Sequence, residues 1–222
     1  MGHGGYVAGL FAERIDGPLE VTLRRPTPLD TQLVFRASDD GRHELVDGDA
    51  VIAEAVRKPL AIEVPPPPSL AQAIAAEAGS PSHHGEQGVH PVCFGCGKRR
   101  DPGDALRIFV GPCEVDGHAL VAGGFEPRSA FDGRDGMLAR RYVLAALDCP
   151  GAFAFIARGG RAGLLGRIAF EQYREVPGDR HAIVIGWQMG GEGRKLLAGT
   201  ALFDEHGTLC AAAKATWFPR GA

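Results

Sequence analysis

Along most of the chain apolar and polar residues alternate with a period of two, and two stretches break this rhythm with the spacing of a helix. The first, "YVAGLFAERI" at residues 6–15, stops at the breaker "DGP". Three strand-like segments follow, "PLEVTLRRPTPLD", "TQLVFRASDDG" and "RHELVDGDAVIAEAVRKPL", with turn residues between them. The second helical stretch is "MLARRYVLAALDCPGAFAFIA" at 137–157, expected as one long helix bent at Pro150. It is preceded by a hairpin, "ALRIFVGPCEVD" with "HALVAGGFEP". After it come the strand-like "GLLGRIAFEQYREV" and "RHAIVIGWQM", and then "KLLAGTALFDEHGTLCAAAKATWF", split by the turn "DEHG".

Between the halves, "PPPPSLAQAIAAEAGSPSHHGEQGVH" at 65–90 joins a proline run, a short alanine-rich stretch and a Gly, Ser and His tail, and reads as a linker. The expected division is 1–64 for a first half, 65–104 for the connection and 105–222 for a second half. The closing hairpins of the halves resemble each other, "ELVDGDAVIAEAVRKP" against "ALFDEHGTLCAAAKATWFP", with Gly48 matched to Gly207. An internal duplication accounts for this, each half wrapping an antiparallel sheet around one helix.

At 222 residues and 45% hydrophobic content the chain can bury a substantial core. Lys plus Arg is 24 against 27 for Asp plus Glu, and the resulting charge of -3 gives no reason to expect nucleic acid as a partner. No apolar run reaches the roughly 18 residues of a membrane span, and "MGHGGYVAGL" lacks the features of a signal peptide. With five cysteines, an odd number that fits reduced thiols, the expectation is a cytoplasmic protein.

"HGGYVAGL" in the first helical stretch, "LRRPTPLDT" in the next strand and "YVLAALD" in the second helix resemble the hotdog-fold acyl-CoA thioesterases, and more narrowly their double-hotdog, medium-chain group. The resemblance implies an α+β fold of two fused hotdogs, each an antiparallel sheet around a central helix. It also implies an acyl-thioester substrate between paired hotdogs, no cofactor, and a helix-borne acid acting as base or nucleophile. Asp148 is the matching position. It lies in "LAALDCPGAFAF", where burial would raise its pKa and suit it to activating water. Equally, it could cap the helix "CPGAF".

His3, Gly4 and Gly5 form "HGG", whose backbone N–H groups at a helix N-terminus suit an oxyanion, or which is a loose chain end. His3 itself reads as structural or exposed. Where single-hotdog relatives carry an acid after "HGG", this chain has Ala12 with Glu13 beside it, so no complete site is expected in the first half. The Thr and Gln that the resemblance implies as support for the acid fall at Gly166 and Ala215, with Gln172, Gln188 or Thr200 as substitutes. That departure keeps open a non-catalytic acyl or acyl-CoA binding protein. A hotdog hydratase is disfavoured because no His accompanies Asp148 in sequence.

Arg194 and Lys195 of "EGRKLL" are candidates for CoA phosphate, or are solvated residues at a hairpin edge. Cys93 and Cys96 stand at metal spacing, with His83, His84 and His90 upstream and Cys113 later. One CxxC lacks a second ligand pair at recognisable spacing, so no stoichiometric metal is expected and chelation should leave the melting temperature unchanged. The open edges of such sheets lead to the expectation of a homodimer.

Overall fold

Ten antiparallel strands form a single sheet in the computed structural model, which describes residues 1–38, 40–84 and 89–219. Helix α1 (Gly4–Ala12) is followed by β1 (Leu19–Leu23), β2 (Val34–Ala37), β3 (His43–Asp47) and β4 (Ala50–Arg57). A short helix, α2 (Leu70–Ala76), leads to β5 (Gly111–Val115) and β6 (His118–Phe125). Helices α3 (Arg140–Ala146) and α4 (Cys149–Ile156) precede β7 (Gly163–Gln172), β8 (Ala182–Glu192), β9 (Lys195–Asp204) and β10 (Leu209–Pro219). The hairpin expected from "ALRIFVGPCEVD" begins only at Gly111, because residues 105–110 make loop contacts such as Ile108 N–H to Gly95 O instead of a ladder.

The strand order is β2-β3-β4-β1-β7-β10-β9-β8-β6-β5. Outward from the β1–β7 junction it therefore reads β4, β3, β2 on one side and β10, β9, β8 on the other, before β6 and β5 extend the second side. β1 and β7 pair antiparallel from Leu19 opposite Phe170 to Thr22 opposite Arg167. Gly48 and Gly207 occupy equivalent hairpin turns in this order, and both have left-handed φ values, 56° and 84°, that favour glycine. Such a large antiparallel sheet with few helices fits a hotdog fold.

Alternation places Ala182, Val184, Ala198 and Leu202 in the core under the helices, while Ile183, Ile185, Ala201 and Phe203 pack on the opposite face. That second face is covered by Leu60, Ile62, Val64, Leu70, Ala73 and Ala76, so part of the stretch read as a linker is also a packed cover. Residues 85–88 of that stretch lie outside the described residues. Ser69 starts α2 with a capping box, its side chain accepting from Gln72 N–H while Gln72 reaches back to Ser69 N–H.

The second helical stretch is two helices, with the break at Leu147 and Asp148, two residues ahead of the expected bend. Pro150 sits in the first turn of α4, where its missing N–H costs nothing; continued from α3, its ring would meet the carbonyl of Ala146. α3 packs on α1, and Arg140 at its start donates to Ala12 O, Ile15 O and Gly17 O at 2.6, 3.1 and 3.1 Å, satisfying carbonyls at the end of α1. Arg140→Met should lose these charge-assisted bonds at a cost of about 1.5–3 kcal/mol, lowering the melting temperature by about 3–12 °C. Thermal unfolding followed by circular dichroism measures this, and an unchanged midpoint would mean that water satisfies those carbonyls equally well.

Candidate functional site

The break between α3 and α4 turns the side chain of Asp148 away from the helix that follows it. Although Asp148 stands at the N-cap position of α4, its carboxylate makes no cap hydrogen bond there. Oδ2 instead accepts from the backbone N–H of Gly5, at 2.6 Å and 143 residues away in sequence. Capping therefore does not explain this acid. At 4% exposure it is a buried carboxyl, and that burial pushes its pKa up, against the pull of His3 and the Gly5 N–H.

Gly5 permits this contact because it has no Cβ. One placed there would lie 2.6 Å from Asp148 Cβ and 3.1 Å from Ala145 Cα. At Gly4 a Cβ would meet the ends of the Leu23 and Leu165 side chains at 3.0 and 3.1 Å, with Asp148 Oδ2 at an ordinary 3.4 Å. The chain end is thus docked, and the Gly5 N–H, a candidate for an oxyanion, is engaged by the carboxylate.

His3 caps α1, with Nδ1 accepting from Tyr6 N–H at 3.2 Å, and its Nε2 lies 3.4 Å from Asp148 Oδ2. Burial lowers the pKa of His3, but the Asp148 charge and the Cys93 sulfur outweigh it and the net shift is upward. The fold therefore sets a histidine beside Asp148 from 145 positions upstream, a neighbour that no spacing along the chain announces.

None of the candidate supports reaches Asp148. Thr200 Oγ1 donates to Leu147 O at 2.9 Å and so holds the helix break, Gln188 donates to Ala154 O at 2.8 Å, and Gln172 donates to Arg174 O at 3.0 Å. Gly166 lies under the ring of Phe218, where a Cβ would come within 2.4 Å of Cε2, and Ala215 is fully buried opposite Ile168.

Asp148 borders a groove of ≈ 1100 Å³ whose apolar walls include Phe153, Leu165, Trp217 and Phe218. Trp217 is 5% exposed, and its Nε1–H, which has no protein partner, is buried toward Gly151. Arg24, Arg25, Arg167 and Lys195 also border it, whereas Arg194 sits in the exposed β8–β9 turn away from it. In the sequence the "RRP" of Arg24 and Arg25 reads as ordinary basic surface unless it lines a groove, and the structure places both arginines on one.

Cys93 and Cys96 also come to this place. The Cys93 sulfur is 3.6 Å from that of Cys149, which in turn is 3.5 Å from His3 Nε2. Contact with the Cys149 and Cys96 thiols draws the Cys93 thiol far below its ordinary pKa, while those two are pushed well up. Of the other residues considered as ligands, His90 also borders the groove, close enough to act on the charge of Asp148, whereas His83 packs on the ring of Phe109 and Cys113 lies against the second face of the sheet.

No family model and no curated protein sequence matches the chain. Solved structures do. The tesB protein of Mycobacterium avium subsp. paratuberculosis superposes with a TM-score of 0.61 at 15% identity, over 98% of this chain and 87% of its own. The acyl-CoA thioesterase II TesB2 of Mycobacterium marinum gives 0.60 at 15% identity, over 99% and 89%. At such identities the likeness concerns the fold, and at that level the resemblance to TesB-type thioesterases holds along nearly the whole chain.

Gly5→Ala should push Asp148 and α3 aside at a cost of about 1–3 kcal/mol, or about 2–12 °C of melting temperature. Gly4→Ala should change it by no more than about 2 °C, since flexible side-chain ends can yield. Equal effects of the two substitutions in a thermal shift assay would contradict the close packing of Gly5 on Asp148.

Proposed function

We propose that the protein hydrolyses an acyl thioester of the acyl-CoA type, with Asp148 as the general base. The observation that carries this reading is a buried carboxyl, held by a backbone N–H, at the border of an apolar groove whose rim carries cationic side chains. In the proposed step Asp148 takes a proton from water as the oxygen bonds to the thioester carbonyl carbon. That attack leaves a tetrahedral oxyanion at the border of the groove. Collapse of the intermediate breaks the C–S bond, and the thiolate leaves with the proton that Asp148 holds.

Arg24, Arg25 and Lys195 suit the phosphates of a CoA moiety, and the apolar walls suit an acyl chain. The mirrored strand order supports two hotdogs fused at β1–β7, with residues 65–104 connecting them. The five free cysteines fit the reducing cytoplasm. With β2 and β5 at the two edges of the sheet, we read the working form as a homodimer, for which light scattering should give at least twice the chain mass. A single-chain mass over a wide concentration range would refute that assembly.

Asp148→Asn keeps the size of the side chain but removes the charge that accepts the proton, so turnover of acyl-CoA esters should fall about 10²–10⁴-fold. Binding and fold should survive, because an amide is cheaper to bury than an ionised carboxyl. Parent-level turnover in the variant would reject Asp148 as the base. A parent that binds acyl-CoA esters but hydrolyses none of them would establish the non-catalytic binding protein in place of the enzyme.

A further inference from the structure

Hydrolysis as proposed makes no use of the three sulfurs gathered beside Asp148. Cys93 and Cys96 lie in a tight turn closed by Gly97 N–H to Cys93 O at 2.9 Å and Arg99 N–H to Pro91 O at 3.0 Å. Cys149 arrives from the first turn of α4 and His3 from the start of α1. The ligating atoms of His3, Cys93 and Cys149 lie within 4.8 Å of one another, and Cys96, buried in the same turn as Cys93, is the fourth thiol at hand.

Tetrahedral zinc has Zn–S bonds of about 2.3 Å and Zn–N bonds of about 2.0–2.1 Å, which set its edges at about 3.8 Å between sulfurs and about 3.6 Å between nitrogen and sulfur. The Cys93–Cys149 and Cys149–His3 separations, 3.6 and 3.5 Å, are close to those edges. The same 3.6 Å is far beyond the roughly 2.05 Å of a disulfide. Gly95 forms a roof over the cluster: a Cβ there would lie 2.7 Å from Cys149 Sγ and 2.8 Å from His3 Nε2. Cys96 and Cys149 are buried, at 1% and 7% exposure, while His3 and Cys93 are half-buried at the border of the groove.

We propose that Cys93, Cys96, Cys149 and His3 Nε2 form a closed, structural Zn²⁺ site. Each thiol passes its proton to solvent as its Zn–S bond forms, and no electron is transferred. With the metal on Nε2 the ring proton resides on Nδ1, so the bond given up is the long one from Tyr6 N–H. Asp148 keeps its bond from Gly5. The ion ties together the start of α1, the 90–100 turn and the start of α4, the three pieces of chain that meet at Asp148. This replaces the expectation of no metal, which rested on one CxxC considered by itself.

The test uses the full chain, purified reduced from zinc-supplemented medium. Elemental analysis should find about one zinc per chain, and chelation should lower the melting temperature. Co²⁺ added to the stripped protein should give the visible bands and the thiolate-to-cobalt charge-transfer band of a tetrahedral thiolate site. Cys93→Ser and Cys149→Ser should each reduce retained zinc at least about tenfold, with Cys113→Ser retaining it. If the serine variants fail to fold, the Co²⁺ spectrum of the parent decides. Asp148→Asn should also retain zinc, so loss of the hydrolase reading leaves the metal site standing, and the converse. Absence of both zinc and the cobalt–thiolate band overturns the proposal, as does undiminished zinc in both serine variants, or two thiols oxidised to a disulfide with no metal bound.

Discussion

The hydrogen bond from Gly5 N–H to the buried carboxyl of Asp148 joins the first helix of the chain to the break in the second helical stretch, and much else is arranged around that junction. It needs a helix interrupted at Leu147 so that the acid faces α1, and Thr200 holding Leu147 O keeps the interruption in place. It also needs α1 pressed close to α3, which Arg140 secures at the far end of α1 and the absence of a Cβ at Gly5 permits. A buried carboxyl is costly unless hydrogen-bonded, so these contacts support one another.

The β1–β7 pairing has the same organising part in the sheet. It sets the two sides in register, brings α1 beside α3, and opens the groove next to Asp148 between the start of α1 and strands β7 and β10. Covering the second face with residues 60–76 frees β8, β9 and β10 to be apolar on both faces, which explains their long apolar runs.

The acid and the sulfur cluster share a neighbour in His3, whose Nε2 lies 3.4 Å from Asp148 Oδ2 and 3.5 Å from Cys149 Sγ. Cys149 follows Asp148 in the chain and His3 lies two residues before Gly5, which bonds the acid, so the same junction brings both to one imidazole.

The period-two pattern and the turn residues located most of the sheet, because alternation encodes which face a residue occupies, although the third segment of the first half is two strands, β3 and β4, and β5 starts only at Gly111. The resemblance of the hairpins at Gly48 and Gly207 exposed the repeated order, and an acid inside "LAALDCPGAFAF" pointed to Asp148. What accompanies that acid was beyond sequence. Gly5 and His3 reach it across more than 140 positions, Cys149 meets Cys93 across 56, and Thr200 turned out to hold a carbonyl and not the carboxyl. Local periodicity specifies faces, whereas contacts between distant segments follow from strand register and helix packing, which only the folded chain decides.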